Sequence, residues 1–380
     1  MRPPLDGIRV VDLTRVLAGP FCTMLLGDMG AEVIKVEGHE GDPVRRQGTL
    51  KDGLSWYFAA FNRNKKSVVI DLKTDAGKEL LARLIETADV LVDNYRPGVL
   101  AKMGFGAERL AELNPQLVTC NVNGYGSTGP YVDRPAFDFV VQAMSGFMSV
   151  TGAEDQPPMR TGLPITDLVA GLYAAFGVVN ALHARRHNGR GQHVDSAMAN
   201  GILSLMAYLA SEHFATGQLP PRTGNDHPLV APYGLFTASD GEVAVAPSND
   251  TVLRRFLRAI ELEHLLDDPR FSTNEARFPR RAELRALIDA RMRTESQAHW
   301  IEVLNRAGVP SGKVQDLAEV FADPQVRAQE MVIDVARAGA APVRMLGFPV
   351  KLSQTPCTVR LPAPELGEHD DEILGPLRRA

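Results

Sequence analysis

The stretch IRVVDLTRVLAGPFCTMLLGDMGAEVIKVE, residues 8–37, decides the fold. Its first part, Ile8 to Leu13, is a short apolar run typical of a strand. Gly19-Pro20 then opens a helical segment that ends near Gly30, since proline is tolerated in the first turn of a helix. Residues 31–37 alternate apolar and polar side chains with a period of two, which predicts the next strand. Strand, helix and strand in this order form the unit from which parallel sheets are built.

The same alternation continues along the first part of the chain. Apolar runs predict further strands at 67–72, 89–93 and 117–123. Between the first two of these, residues 74–88 form an amphipathic pattern that begins at the cap residue Thr74. The pattern predicts an α/β fold with a Rossmann-like, doubly wound parallel sheet, and such sheets bind ligands at the carboxyl ends of their strands.

Two long helices are predicted next, over residues 166–186 and 194–217. The proline-rich stretch 220–225 is typical of a linker. After it the pattern predicts a hairpin around Asp240-Gly241, then several helices and, from about 331, β-like runs. This change predicts a smaller α+β domain. The predicted divisions are a large domain over 1–224, a small domain over 225–330 and a segment over 331–380 that returns to the large domain.

Composition narrows the class of protein. A net charge of −5 without a block of lysine or arginine argues against nucleic-acid binding. Three widely separated cysteines without a CxxC pair indicate a reducing, cytoplasmic compartment and no metal site. The residues after Met1 lack the apolar core of a signal peptide. Residues 163–182 approach the length of a membrane span, but the charge at Asp167 and two internal glycines favour a buried core helix, so no membrane partner is expected.

Asp167 is the most informative single residue, because it opens an apolar run to Leu182 in which Tyr173 is the only other ionisable group. It is either a helix cap or a catalytic carboxylate. Pro164-Ile165-Thr166-Asp167 is a good helix start, in which Thr166 or Asp167 would accept a hydrogen bond from a free N–H group. The two roles are compatible, because the helix dipole would hold the carboxylate ionised and an ionised carboxylate can attack an acyl group.

Other catalytic patterns fail. Gly124 to Gly129 matches the dinucleotide fingerprint, but the residues after it continue as a loop and the stretch ends the βαβ series instead of opening it. Ser127 is not in a nucleophile elbow, and the nine histidines show no metal spacing. Asp167 therefore remains, with Asp138 as a second candidate catalytic carboxylate whose role is open.

The chain resembles the class III CoA-transferases, the CaiB/BaiF type that includes formyl-CoA transferase and carnitine CoA-transferase. The resemblance covers nearly the whole length. Its motifs are Asp12-Leu13-Thr14 with Ala18-Gly19-Pro20, Gly30 to Glu37, Gly41-Asp42-Pro43, Asn62 to Ser67, Asp71-Leu72-Lys73, Asn94 to Gly98 with Met103-Gly104, Gly124 to Pro130, Gly189 to Gln192, Gly308-Val309-Pro310 and Leu366 to His369.

What the resemblance implies is an enzyme without a tightly bound cofactor that uses coenzyme A thioesters as substrates. The family's nucleophile is an aspartate at the start of the helix before the Gly189–Gln192 turn, and Asp167 matches that position. Covalent catalysis would then run through an aspartyl mixed anhydride and an aspartyl-CoA thioester. The resemblance also implies an interlocked homodimer. The residues it suggests for contact with coenzyme A are Val16, Ala18, Leu72, Lys73, Asn94, Tyr95, Lys102 and Met103.

Departures from the family pattern bear on the substrate. Leu17 replaces a glutamine of formyl-CoA transferase, and Asp226-His227-Pro228 replaces its glycine-rich loop, which puts formate and oxalate in doubt. His227-Pro228 and Pro232-Tyr233 resemble branches that transfer CoA to larger acids, often from succinyl-CoA. Arg15 and His39 are candidates for a second substrate carboxylate.

Two alternatives remain at this point. One is a 2-methylacyl-CoA racemase of the same fold, whose catalytic histidine would fall where this chain has Phe137, which cannot exchange a proton. The other is a catalytically inert CoA-binding protein, which the intact Asp167 disfavours.

Overall fold

The computed structural model describes residues 1–379, which divide into two compact units. The first unit contains Met1–Phe147, Thr161–Ala207 and the chain from Pro324 onward, and the second contains Met148–Arg160 and Tyr208–Asp323. These divisions differ from the predicted ones at 224 and 330. One reason is that residues 148–160 pair with the segment near 224, where the Gly224 amide donates to the Gly152 carbonyl at 2.9 Å.

A six-stranded parallel sheet forms the centre of the first unit, as predicted. Two short antiparallel ribbons belong to the same unit, and a three-stranded antiparallel sheet belongs to the second. The strands are β1 (Arg9–Asp12), β2 (Glu32–Glu37), β3 (Leu50–Lys51), β4 (Leu54–Ser55), β5 (Lys65–Val69), β6 (Val90–Asp93), β7 (Val118–Asn123), β8 (His193–Ala197), β9 (Gly234–Ala238), β10 (Gly241–Val245), β11 (Ser311–Lys313), β12 (Val332–Arg337) and β13 (Ala340–Leu346).

The order of the parallel sheet is β5-β2-β1-β6-β7-β8. Counted along the sheet's own strands this is 3-2-1-4-5-6, the order of doubly wound nucleotide-binding folds. The chain therefore leaves β1 toward one edge of the sheet and leaves β6 toward the other. The crevice between the loops that follow β1 and β6 is where such sheets bind their ligands.

Helices cover both faces of this sheet. The described helices are α1 (Ala18–Asp28), α2 (Trp56–Asn62), α3 (Asp75–Glu86), α4 (Val99–Lys102), α5 (Ala107–Leu113), α6 (Asp138–Met144), α7 (Ile165–Asn188), α8 (Met198–Ser204), α9 (Ala207–Thr216), α10 (Asp250–Ala259), α11 (Asn274–Arg277), α12 (Arg281–Met292), α13 (Gln297–Arg306), α14 (Leu317–Ala322), α15 (Pro324–Ala328) and α16 (Asp370–Arg379). On one face, α1, α7 and α8 bury Val10, Val92 and Val122, and on the other, α3, α5 and α16 bury Val11 and Leu91. The two apolar faces explain why the inner strands β1 and β6 are apolar except at their ends.

Local sequence explains where these helices begin and how closely they pack. Thr74 caps α3 as predicted, because its hydroxyl accepts from the Gly77 amide. Helix α7 packs closely on its neighbours through glycines: a Cβ on Gly171 would lie 2.5 Å from the Ala18 carbonyl oxygen, and one on Gly177 would lie 2.6 Å from Val194. By length and composition α7 would suffice for a membrane span, but half of its most apolar stretch is buried in the protein.

The second unit has a core of its own. The sheet β9-β10-β11 is antiparallel, and the predicted hairpin at Asp240-Gly241 joins its first two strands. Helices α10, α12 and α13 pack their apolar faces on this sheet around Phe236, Phe256 and Trp300, which are fully buried. The helices predicted between about 250 and 306 are therefore present.

One predicted element is wrong. Residues 194–217 do not form a single helix: they include most of β8, followed by α8 and α9. Gly189, at φ 67°, ends α7, and Gly191 lies so close to β7 that a Cβ would come within 1.9 Å of the Leu117 carbonyl oxygen. The chain is thereby directed alongside β7, where it completes the sheet. The strand was missed because its exposed edge is polar.

Candidate active site

The crevice at the carboxyl edge of the sheet is bordered by the loops after β1 and β6. Asn94 joins these loops, since its side chain accepts from the Arg15 amide at 3.0 Å and donates to the Arg15 carbonyl at 2.8 Å. The Arg15 side chain itself is exposed, with its guanidinium 5.9 Å from the centre of the Tyr95 ring. The order of the sheet and this bridge together define the candidate ligand site.

Helix α7 brings Asp167 to this region. The side chain is half-buried in the first turn of the helix, and within residues 1–379 it makes no hydrogen bond or ion pair. Burial, and to a lesser extent the negative charge of Asp138, raise the pKa of Asp167 to about 7. Desolvation therefore opposes the ionised form that a helix N-terminus favours.

The cap of α7 is Asp138 and not Thr166 or Asp167 as expected. One Asp138 oxygen accepts from the Thr166 amide at 3.0 Å and from the Thr166 hydroxyl at 2.9 Å. Its other oxygen accepts from the Gln142 side chain at 2.8 Å. Asp138 is buried at the start of α6, so this satisfied carboxylate links α6 to the start of α7. Asp167 is left without the partners that a capping role would give it.

The start of α1 lies beside the start of α7. Gly171, one turn after Asp167 on the same helix face, contacts the Ala18 carbonyl closely enough to exclude a Cβ. Burial raises the pKa of Tyr57, and the charges of Asp167 and Asp42 raise it as well, which places both carboxylates within electrostatic reach of this phenol. No side chain caps the N-terminus of α1, so its first-turn N–H groups are free to face a negative charge.

The suggested coenzyme A contacts follow three strands of the parallel sheet, β1, β5 and β6. Val16 and Ala18 lie after β1, and Asn94 and Tyr95 lie directly after β6. The remaining contacts lie after β5 and around the end of α4, and they are Leu72, Lys73, Lys102 and Met103. Both lysines are exposed, and Leu72, Tyr95 and Met103 pack partly on the sheet's core. The structure therefore brings the suggested contacts to the carboxyl edge of the sheet.

A cavity of about 460 Å³ lies on the β7 side of this unit. Asp93, Arg96, Asn121 and His193 are among its lining residues, whereas Asp167 and the suggested coenzyme A contacts are not. Burial raises the pKa of Asp93 to about 6, although hydrogen bonds from the Tyr95 amide and the Asn121 side chain act to lower it. Sequence reasoning did not single out Asp93 or Tyr57, because neither belongs to a pattern with chemical meaning.

The stretch that imitates a dinucleotide fingerprint forms a loop. Gly126 and Gly129 have φ values of 96° and 93°, and no helix begins between the end of β7 and Asp138. Ser127 donates to Asp195 through both its amide and its hydroxyl, at 2.7 and 2.6 Å. The predicted loop is therefore present, whereas the fingerprint requires a helix N-terminus at the glycines.

The model of CoA-transferase family III matches residues 5–370 of this chain. The chain belongs to CoA-transferase family III. It is an enzyme of the CoA-transferase class, and the predicted family and the predicted fold are both confirmed.

Relatives of this CoA-transferase are similar over most of their lengths. The succinate–glutarate CoA-transferase of Agrobacterium fabrum is 38% identical, with 99% of this chain and 96% of the relative covered. The acetyl-CoA:oxalate CoA-transferase of Acetobacter aceti is 40% identical, with 92% and 89% covered. A crystal structure of a CaiB/BaiF family protein from Brucella suis matches with a TM-score of 0.88 at 38% identity, covering 99% of this chain and all of that one.

Proposed function

We propose that this CoA-transferase moves CoA from succinyl-CoA to a carboxylic acid acceptor and that Asp167 is its nucleophile. The observation that carries the proposal is the state of this carboxylate: it is half-buried, has no hydrogen-bond partner in the described chain and lies beside the open N-terminus of α1. A desolvated carboxylate is more nucleophilic than a solvated one, and a pKa of about 7 leaves much of it ionised at neutral pH.

The reaction consists of four balanced acyl exchanges. An oxygen of Asp167 attacks the thioester carbonyl of the donor, the carbon–sulfur bond breaks, and a mixed anhydride and CoA thiolate form. The thiolate attacks the aspartyl carbonyl, which releases the donor acid and leaves an aspartyl-CoA thioester. The acceptor carboxylate attacks that thioester and again expels the thiolate, giving a second anhydride. The thiolate finally attacks the acceptor's carbonyl, which releases acceptor-CoA and restores Asp167.

Negative charge develops on the attacked carbonyl oxygen in every exchange. The uncapped first turn of α1, with the amides of Ala18 and Gly19, offers donors for that charge. Phosphates of coenzyme A would meet Lys73 and Lys102, which are exposed at the same edge of the sheet. Leu72, Tyr95 and Met103 would supply apolar contact for the adenine, with Val16 and Asn94 beside them.

Dicarboxylic acids are the substrates that the site fits best. The two curated relatives are named for succinate and glutarate and for oxalate, and all three are dicarboxylates. Two exposed basic side chains follow neighbouring strands of the sheet, Arg15 after β1 and His39 after β2. One carboxylate of the acid would react at Asp167 while the other meets Arg15 or His39.

The working enzyme in this proposal is an interlocked homodimer in the cytoplasm. Helices α6, α7 and α8 pack together and leave large apolar side chains exposed on their outer faces. These side chains are Phe139, Val140, Leu172, Tyr173, Phe176, Val179 and Leu203. Exposed apolar side chains on three packed helices mark an interaction surface, and a second copy of the chain is the commonest partner for one.

The interlocked dimer has a simple test. We expect light scattering to give a dimer mass, and tagged and untagged dimers mixed after folding should form no hybrids, because interlocked subunits separate only by unfolding. Hybrids that form within minutes would show that the protein is a dimer whose subunits are not interlocked. Phe176→Asp should reduce the dimer, since it places a charge on the apolar surface.

The nucleophile is tested by trapping. Incubation with succinyl-CoA and hydroxylamine should convert Asp167 to a hydroxamate that peptide mass spectrometry locates, because hydroxylamine attacks an activated aspartyl carbonyl. Asp167→Ala should abolish transfer and trapping while CoA binding persists. Asp138→Asn is the control, since it keeps the hydrogen-bond acceptor of the cap. An unmodified Asp167, or transfer by Asp167→Ala, would reject the assignment.

The racemase alternative gains nothing from the structure. Phe137 is exposed directly before α6 and cannot exchange a proton, and both oxygens of Asp138 accept hydrogen bonds. Entry of solvent deuterium at the α-carbon of a 2-methylacyl-CoA would revive that alternative.

A further inference from the structure

Four family motifs that the proposed chemistry does not use meet in one buried group of charges. Asp12 at the end of β1, Lys35 in β2, Asp42 after β2 and Lys65 at the start of β5 are all less than 4% exposed. The Lys65 ammonium lies 3.1 Å from Asp12, and the Lys35 ammonium lies 3.0 Å from Asp42. We call these four residues the buried ion cluster. Its position is unusual for a stability device, because burying charges costs more than burying apolar groups of the same size.

The buried ion cluster holds the backbone that follows β1. Asp12 accepts from the Thr14 amide at 2.8 Å, and Lys35 donates to the Thr14 carbonyl at 2.8 Å. Asp42 accepts from the Val16 amide, at 3.1 and 3.2 Å to its two oxygens. Together with the Asn94 bridge to Arg15, side chains thus hold three successive residues that make no sheet or helix bonds. A loop with so many side-chain partners is ordered before any ligand arrives.

The conformation held in this way is strained. Val16 has a φ of 70°, in the left-handed region that β-branched residues avoid. Such a residue persists only where its surroundings impose the conformation, and here the Asp42 carboxylate bonded to its amide does so. Strain of this kind concentrates at functional sites.

The same charges fix the first turn of α1. Lys65 donates to the Pro20 carbonyl at 3.0 Å, and Asp12 accepts from the Thr23 hydroxyl at 2.7 Å. Gly19 lies against Thr14 so closely that a Cβ would approach its side chain to 2.4 Å. Because Ala18 in turn contacts Gly171 of α7, the buried ion cluster determines where the free N–H groups of α1 lie relative to Asp167.

We infer that the Lys35–Asp42 pair is a positioning device for acyl transfer: it holds Val16 and the N-terminus of α1 in the geometry that receives the reacting carbonyl at Asp167. The inference rests on the proposed role of Asp167. Neither Lys35 nor Asp42 touches the substrate in this scheme, and both act through the backbone they hold. Displacement of a reacting group by about 1 Å is enough to slow catalysis about 100-fold.

The test compares Asp42→Asn with Asp28→Asn. Asp28 forms a comparably buried ion pair with Arg63, at 2.7 Å, at the opposite end of α1. Each substitution removes the carboxylate charge of one buried ion pair, so both should lower stability in urea. Single-turnover acylation at saturating succinyl-CoA should fall about 10- to 100-fold in Asp42→Asn and less than about threefold in Asp28→Asn.

Two results would overturn the inference. One is an acylation rate that falls equally in both variants, in proportion to their loss of stability. The other is an unchanged rate in Asp42→Asn. If Asp42→Asn does not fold, the double variant K35M/D42L takes its place, because removal of both partners of a buried pair is far better tolerated than removal of one. It should show the same loss of rate, and normal acylation in it would reject the positioning role.

The proposed function is checked in the same assay. If the wild-type enzyme is acylated and Asp167→Ala is not, the nucleophile is established independently of Asp42. Acylation of Asp167→Ala, or no transfer by the wild-type enzyme, would overturn the proposed function. Normal acylation of Asp42→Asn would overturn only the positioning role.

Discussion

Asp12 and Asp167 both lie near the start of α1, but their surroundings differ in every respect. Asp12 is fully buried and accepts from Thr14, Thr23 and Lys65. Burial alone would raise its pKa, yet the ammonium groups of Lys65 and Lys35 lower the pKa overall. Asp167 is less buried, has no such partners, and its pKa rises to about 7.

The difference separates a carboxylate that maintains structure from one that is available for chemistry. Burial penalises the charge in both places, but only Asp12 recovers the penalty through partners. At Asp167 the desolvation free energy of the charge is not offset by partners, and it therefore lowers the stability of the folded protein. Such a loss of stability persists in evolution where a reactive group is needed. The comparison therefore predicts substitutions with opposite effects on stability.

The largest effect is expected for Asp12→Asn. Removing this charge leaves the buried Lys65 ammonium without its carboxylate partner, which should cost about 3–5 kcal/mol of unfolding free energy. Because the pKa of Asp12 is lowered by folding, its contribution is present above the unfolded pKa and is lost as the pH falls through the folded one. Urea unfolding at pH 7 measures the loss.

A matched control is Asp334→Asn, which breaks the exposed pair between Asp334 and Arg344. Exposed pairs contribute little to stability, because water screens their attraction. Equal losses in the two variants would show that the buried ion cluster has no special part in stability.

The opposite sign is expected for Asp167→Asn. Its pKa is raised from 3.8 to about 7 in the folded protein, so the folded state increasingly loses stability as the pH rises between these values, and the full cost is present above about 7. Removing the charge should stabilise the protein by about 1–3 kcal/mol at pH 8, less than the full shift implies because the side chain is partly exposed. At pH 4 the gain should nearly vanish. Thermal unfolding at both pH values checks this, and a loss of stability at pH 8 would contradict it.

Sequence alone predicted the parallel sheet, because period-two strands and glycine-bounded helices are local signals in residues 8–37. It could not predict β8, whose polar side chains lie at the sheet edge and whose path depends on contacts of Gly191 with Leu117. Asp167 was found from its apolar surroundings. Its raised pKa and the capping by Asp138 were missed, because both depend on which residues α6 brings to the start of α7.

A smaller effect is expected at Arg15, whose backbone belongs to the ordered loop while its side chain is exposed. If its guanidinium binds the second carboxylate of the acceptor, Arg15→Gln should raise KM for dicarboxylates about threefold to tenfold and leave monocarboxylates unchanged. Steady-state kinetics with glutarate and butyrate make the comparison. Arg46→Gln, at an exposed arginine paired with Glu40, is the control. An equal change with both acids would assign Arg15 no part in specificity.

The smallest effect concerns Asp138→Asn. Since the Asp167 carboxylate must be ionised to attack, single-turnover acylation should rise about tenfold per pH unit below pH 7 and level off above it. Burial is the main reason for that midpoint and the Asp138 charge is the lesser one, so the variant should move the midpoint to lower pH by a fraction of a unit. The asparagine oxygen can still accept from Thr166, which keeps the start of α7 in place. A midpoint that stays at about 7 would show that burial alone sets the reactivity of Asp167, and a midpoint that rises would contradict the electrostatic account.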